Sequence, residues 1–132
     1  MKINFDISDF CIEDGDIPPH VADKILRHIE IIQPIRNIMQ KPIWPSMKSG
    51  YRSVSYEDRH KRSGNSEHTF KGRGAVDWTT RPQHLDEPLS LLKQSRYNRV
   101  CYYPRNRFIH CDFKGNEKQF FICENGGEWI RK

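Results

Sequence analysis

The sequence predicts a single α+β domain, a small antiparallel sheet with helices packed on one side. Apolar residues recur at helical spacing between positions 21 and 39. Short alternating runs separated by turn residues fill positions 99–130. No internal repeat or low-complexity linker divides the 132 residues, a length that suits one core, so positions 1–132 are read as one domain.

Positions 3–12 alternate loosely, and Asp6, Asp9, Glu13, Asp14 and Asp16 make this segment acidic. An opening strand or short helix is expected there, followed by a loop ending at Pro18-Pro19. Val21, Ile25, Ile29 and Ile32, reinforced by Leu26, then mark the clearest helix, with Asp23, Lys24, Arg27 and Glu30 on its other face. Pro34 is expected to kink or end it, with Ile35, Ile38 and Met39 continuing the stripe for another turn. His20 and His28 have no acidic or cysteine partner at ligand spacing, so both are placed on the surface. Ile43-Trp44-Pro45-Ser46-Met47 reads as a short edge strand, since Pro45 removes a ladder donor. It delivers the turn Ser49-Gly50-Tyr51-Arg52-Ser53, which holds an arginine just beyond a strand end.

Positions 55–64 are charged and read as a solvated helix or loop. After Gly72 and Gly74, positions 75–79 alternate. Trp78 belongs in the core, which turns Asp77 to the opposite, open face. Positions 85–94 form a short helix with Asp86 as its cap and Pro88 in its first turn. The last third reads as an antiparallel meander over 99–103, 107–113 and 119–123, with Glu128-Trp129-Ile130 after a final turn. In its second strand Phe108, His110 and Asp112 share a face.

No apolar run approaches the roughly 20 residues needed to span a bilayer. Met1-Lys2-Ile3-Asn4-Phe5-Asp6 lacks the apolar stretch of a signal peptide, which predicts a protein that is cytoplasmic as synthesised. Cys11, Cys101, Cys111 and Cys123 show no C-x-x-C pairing and are expected reduced and largely buried. A net charge of +5 favours polyanionic partners, whether nucleic acid, anionic lipid or wall polymers, without choosing among them. Tyr97, Tyr102 and Tyr103 beside Arg99, Arg105 and Arg107 suit base stacking, yet strand packing is the plainer reading, so no nucleic-acid partner is expected. A compact monomer is the default.

The chemistry concentrates in Ser66-Glu67-His68, Asp77 and His110. Two imidazoles and one carboxylate are a common protein ligand set for a catalytic zinc, whose fourth position stays open. Glycines let the chain turn back from His68 to Asp77, and strands hold Asp77 and His110 rigidly. Arg52 supplies a cation for a substrate carboxylate or a developing oxyanion. The plainer alternatives are an exposed loop histidine at position 68 and a strand histidine at position 110 satisfied by Asp112.

The order Ser49-Gly50-Tyr51-Arg52-Ser53, Ser66-x-His68, Gly72-x-Gly74-Ala75-x-Asp77 and Phe108-Ile109-His110-x-Asp112 resembles the zinc D-Ala-D-Ala carboxypeptidase family. That family groups peptidoglycan peptidases with many phage endolysins and shares the hedgehog/D-Ala-D-Ala peptidase-like fold. The likeness runs over about residues 17–112, because Gln33-Pro34-Ile35-Arg36 and Pro42-Ile43 also resemble the segment ahead of the family's Ser-Gly-Tyr-Arg. It implies zinc (Zn2+) bound by His68, Asp77 and His110, and Arg52 gripping the substrate. It also implies that Ser66 lies beside the metal and orders the loop around His68. The implied substrate is a peptidoglycan stem peptide, cut by a carboxypeptidase or endopeptidase. Release to the wall by phage lysis, or carriage in a virion, is the matching route out of the cytoplasm.

The chain departs from the pattern twice. The family's histidine and aspartate stand seven positions apart, and His68 and Asp77 stand nine apart, which predicts an altered pocket rim. Several relatives carry an acidic base three positions before the last histidine, where this chain has Arg107, which cannot accept a proton. Asp112 is the substitute, as catalytic base or as the partner that orients His110, and Glu67 is a further candidate. A wall-binding or phage structural module that kept the fold without turnover is the rival reading.

Overall fold

Helix α1 (Pro19–Met39) is the longest element, and its buried side chains, among them Val21, Ile25, Ile29 and Ile32, follow the helical period of the sequence. The computed structural model describes residues 3–13, 17–62, 64, 66–81 and 84–132. Met1, Lys2, Asp14, Asp16 and Ser63, which fall within segments interpreted above, lie outside them. The helix runs through Pro34 instead of ending there. Ile35 and Met39, beyond the proline, are buried, and that packing offsets the one hydrogen bond a proline removes. Leu26 and Ile38 prove exposed and lie off the buried stripe.

His28 corrects the surface assignment outright, being 0% exposed. Its Nε2 stands 3.0 Å from the Arg73 carbonyl, which can only accept, so Nε2 carries the proton. Nδ1 then accepts from the Tyr97 hydroxyl at 2.6 Å, and that hydroxyl accepts from Trp78 Nε1 at 3.3 Å. Burial pushes the His28 pKa down to about 4, against a smaller upward pull from the Arg73 hydrogen bond. A lone helical histidine gives no sign of this, because its partners lie 45 and 69 positions away.

Among the described residues the sheet has six strands, β1 (Trp44–Pro45), β2 (Ala75–Thr79), β3 (Arg99–Tyr103), β4 (Phe108–Asp112), β5 (Gln119–Ile122) and β6 (Ile130–Arg131), in the order β1-β2-β4-β3-β5-β6. The short edge strand at Trp44 and Pro45 forms as expected, antiparallel to β2. The simple meander does not, because β5 pairs in parallel with β3. Since β4 is already flanked by β2 and β3, the free edge is that of β3. A chain that reverses after β4 and crosses to that edge runs parallel to β3, whose own direction opposes β4. The sheet is therefore mixed, within the α+β class expected.

Helix α2 (Val54–Arg59) begins at Ser53, whose Oγ accepts from Tyr56 N at 3.0 Å. It is not wholly solvated, since Glu57 is buried. Helix α3 (Asp86–Lys93) has Leu85 at the cap position, with Asp86 already inside the first turn, and Pro88 also lies in that turn. Ile25, Ile32, Leu92, Val76, Trp78, Val100 and Ile109 belong to one core cluster, with Phe10 meeting Trp78 edge-on at 5.5 Å. Cys101, Cys111 and Cys123 are buried, Cys11 is partly buried, and all four are free of disulfides. Among the described residues no helix is long and apolar enough to cross a membrane. Strand parity leaves Asp77, His110, Cys101 and their neighbours two positions away on the other face of the sheet.

Candidate metal centre

Asp77 and His110 are directly opposite each other in the β2–β4 pairing, so two donors share one row of the open face. His68 arrives from a single 3-10 turn (Glu67–Thr69), which Ser66 opens by accepting from His68 N at 3.2 Å. The Arg52 amide donates to the His68 carbonyl at 2.7 Å and ties that turn to the Ser49-Gly50-Tyr51-Arg52 segment. Gly50 is needed there for close approach, since a Cβ would lie 2.7 Å from the Phe10 carbonyl oxygen.

The segment between His68 and Asp77 packs inward. Phe70 turns into the core, 1% exposed at φ 58°, and Gly74 at φ +89° closes over its ring. No residue of the turn 69–74 lines the cleft, and Phe70 of that turn belongs to the core.

The three donors converge. His68 Nε2 lies 3.3 Å and His110 Nδ1 2.8 Å from Asp77 Oδ1, and the donor atoms all lie within 4.8 Å of one another. The outer side of each is anchored. His68 Nδ1 donates to the Gly50 carbonyl at 2.8 Å, which leaves Nε2 as the inward nitrogen. His110 Nε2 bonds Asp112 Oδ2 at 2.8 Å. Asp77 Oδ2 accepts from Ser49 Oγ at 2.9 Å, and Arg52 Nη2 approaches it at 3.5 Å. Anchoring of this kind is what a metal site demands of its surroundings.

The electrostatics follow from the same contacts. Burial by itself would raise the Asp77 carboxyl, but the charges and hydrogen bonds of His68 and His110 hold it well below the usual carboxylate range. Burial would likewise lower His110, yet the hydrogen bonds and charges of Asp112 and Asp77 lift its pKa to about 9. Asp112 is held well down by His110 and Arg99 against the upward pull of burial. The donor set thus calls for positive charge at its centre. Two imidazole nitrogens and one carboxylate oxygen fit zinc, with room left for a further ligand.

The site opens into a cleft of about 440 Å³. Of the residues singled out from sequence, Arg52, Ser66, His68, Asp77 and His110 line it, whereas Asp112, Glu67 and Arg107 do not. Asp112 is 0% exposed beneath His110, and Arg107 is exposed on the β3–β4 turn at φ 60°. Among the described residues, Asp77 is the one carboxylate lining the cleft.

Sequence reasoning missed Ser49 and Arg99 as supports, and Arg62, Tyr103, Phe108 and Trp129 as cleft walls. Arg99 was recoverable in principle, because the β3–β4 register pairs it with Asp112. Trp129 was not, since its position depends on where β5 and β6 attach.

The sequence model of the family described as Peptidase M15 matches residues 4–112, which takes in the Ser-Gly-Tyr-Arg turn, His68, Asp77 and His110. No curated protein matches the chain. A match over most of the length, ending at the strand that carries His110, places the chain in the peptidase M15 family, the zinc D-Ala-D-Ala carboxypeptidase-like metallopeptidases.

Proposed function

We propose that this protein is a zinc-dependent peptidase of peptidoglycan stem peptides, cutting a bond that involves D-alanine or a neighbouring stem residue as a carboxypeptidase or endopeptidase. The observation that carries the reading is the convergence of His68, Asp77 and His110, with donor atoms within 4.8 Å, where they line an open cleft beside Arg52. When bound, zinc supplies a Lewis acid that polarises a carbonyl and makes water acidic near neutral pH.

The chain's own residues position the partners. Arg52 keeps its guanidinium partly buried against Ser49 Oγ at 3.0 Å and lines the cleft, where its charge would meet a substrate carboxylate or carbonyl. Ser66 orders the His68 turn at the cleft edge. Asp112 is assigned to orient His110 and not to shuttle protons, because it is buried, held by Arg99 and outside the cleft. One copy of the chain holds every ligand, so a monomer suffices. The substrate lies in the cell wall, which suits a phage endolysin released at lysis or carried in a virion.

The test is incubation with purified peptidoglycan, with and without a chelator, followed by mass analysis of the soluble fragments. Chelator-sensitive release of stem peptides is expected. Its absence across several wall types would favour the second reading, a wall-binding module of the same fold without turnover. One observation favours that alternative: among the described residues, no carboxylate besides Asp77 lines the cleft.

A further inference from the structure

We infer that a lysine-lined pocket at the β5 edge of the sheet, on the face away from the metal centre, binds a phosphate group. The inference goes beyond the proposed function, because this pocket and the cleft share no residue.

Strand pairing places the pocket. Val100 of β3 pairs with Phe120 of β5, and Lys132 N donates to the Phe120 carbonyl at 2.8 Å, so the three stand in one row. Val100 is opposite Cys111 and both are buried, which puts the row on the core face, while Asp77 and His110 hold the other parity. Burial falls along the row, from Val100 at 2% through half-buried Phe120 to exposed Lys132. The helical layer therefore stops short of the sheet's edge, and a pocket of about 200 Å³ remains there.

Lys93 at the end of α3, Lys118 just ahead of β5, and Lys132 line it. Two of these are held in place. Lys93 Nζ lies 4.1 Å from the Phe120 ring centre. Lys118 Nζ donates to the Ser95 carbonyl and, at 3.3 Å, to the Tyr97 carbonyl, which leaves one of its three donors for a ligand. Side chains already held lose less freedom on binding than free ones. Among the described residues no acidic side chain lines the pocket, and Glu117, next to Lys118, is paired with Arg131 at 3.3 Å. Three like charges around one pocket repel, and an anion between them relieves that repulsion.

The kind of cation narrows the choice of anion. A carboxylate matches the planar fork of arginine, and no arginine lines the pocket among the described residues. Separate point charges from three chain segments suit a tetrahedral anion, whose oxygens point in several directions. Nucleic acid also offers phosphate, but its bases need an open ring to stack on. Lys93 covers the Phe120 ring and Tyr97 is 1% exposed, so the pocket presents none. Lys118, Phe120 and Lys132 stand downstream of the family match, which ends at residue 112, so the pocket belongs to this chain and not to the shared motifs.

The experiment is an NMR titration of the zinc-loaded full chain with inorganic phosphate, and with acetate at equal ionic strength. Phosphate is expected to cause saturable shifts at the Asn98 and Gln119 amides and to bind about tenfold more tightly than acetate. Lys93→Gln and Lys132→Gln should each weaken phosphate about threefold, and Lys132→Glu about tenfold, with circular dichroism unchanged. Shifts confined to the cleft around Arg52 and Arg62, equal binding of acetate, or wild-type affinity in a folded Lys132→Glu would overturn the inference. Should a variant misfold, the wild-type shift map and the acetate comparison decide. Glycerol phosphate and a poly(glycerol phosphate) chain then separate the two sources of the group. Equal affinity per phosphate assigns a free phosphate ester, and a chain about tenfold tighter assigns a phosphodiester polymer, and either result supports the pocket. An oligothymidylate of the same charge that binds more tightly than the polyol chain would overturn it.

Discussion

Arg99 grips Asp112 with two hydrogen bonds, Nε to Oδ1 at 2.8 Å and Nη2 to Oδ2 at 2.6 Å, across directly opposed positions of β3 and β4. Oδ2 also meets His110 Nε2 at 2.8 Å, and Oδ1 accepts from Lys114 N at 3.0 Å. A carboxylate so occupied fixes one face of the imidazole and leaves Nδ1 as the atom that points inward. The pair thus sets which nitrogen of His110 serves the donor set.

Asp112→Asn separates an orienting role from a proton-transfer role. Losing the charged acceptor should weaken zinc binding by about 10–100-fold, as measured by competition with a chelating dye. Activity on peptidoglycan should largely return at saturating zinc. A kcat that stays depressed there would make Asp112 a base after all.

His68→Ala removes one inward nitrogen. Elemental analysis should find about one zinc per wild-type chain and almost none in the variant. Zinc at 100 times its dissociation constant should stabilise the wild type by about 2.7 kcal/mol and leave the variant's melting temperature unmoved. Equal zinc content in the two proteins would remove His68 from the ligand set.

Gly74→Ala tests the turn that joins His68 to Asp77. The added Cβ would lie 2.2 Å from the Phe70 ring at φ +89°, so it meets both a clash and an unfavourable backbone. A loss of about 2 kcal/mol or more in urea unfolding is expected. A change below about 0.5 kcal/mol would mean that Phe70 does not pack beneath this turn.

His28 predicts an acid sensitivity with a definite sign. Its folded pKa of about 4 lies below the ordinary 6.5, so between those values the unfolded chain binds the additional proton. The contribution is complete above pH 6.5 and is lost as pH falls toward 4, on the order of 3 kcal/mol in all. Urea unfolding should show stability falling through that window in the wild type, and a shallower fall in His28→Gln. Identical slopes would contradict the buried neutral imidazole.

Much of the candidate site was legible because it depends on local rules. Alternation along a strand put Asp77 opposite Trp78 and placed His110 with Asp112, and the register then set Asp77 beside His110. The edge strand at Trp44 and Pro45 followed from proline's missing donor. His28 and Glu57 were misplaced, because burial of a polar side chain depends on distant elements that no local pattern names.

By itself, then, the sequence named the converging residues through its likeness to the family's motifs, and it determined the helix period and the strand parity. These follow from covalent geometry repeating every 3.6 or every 2 residues, which a single chain displays without its partners. The tertiary structure alone decided the parallel attachment of β5, the Arg99 clamp that takes Asp112 out of the cleft, and the placing of Trp129 against His110. Each of these depends on which strand edge remains free once β2 has paired with β4, a competition among distant segments settled only when the sheet is assembled.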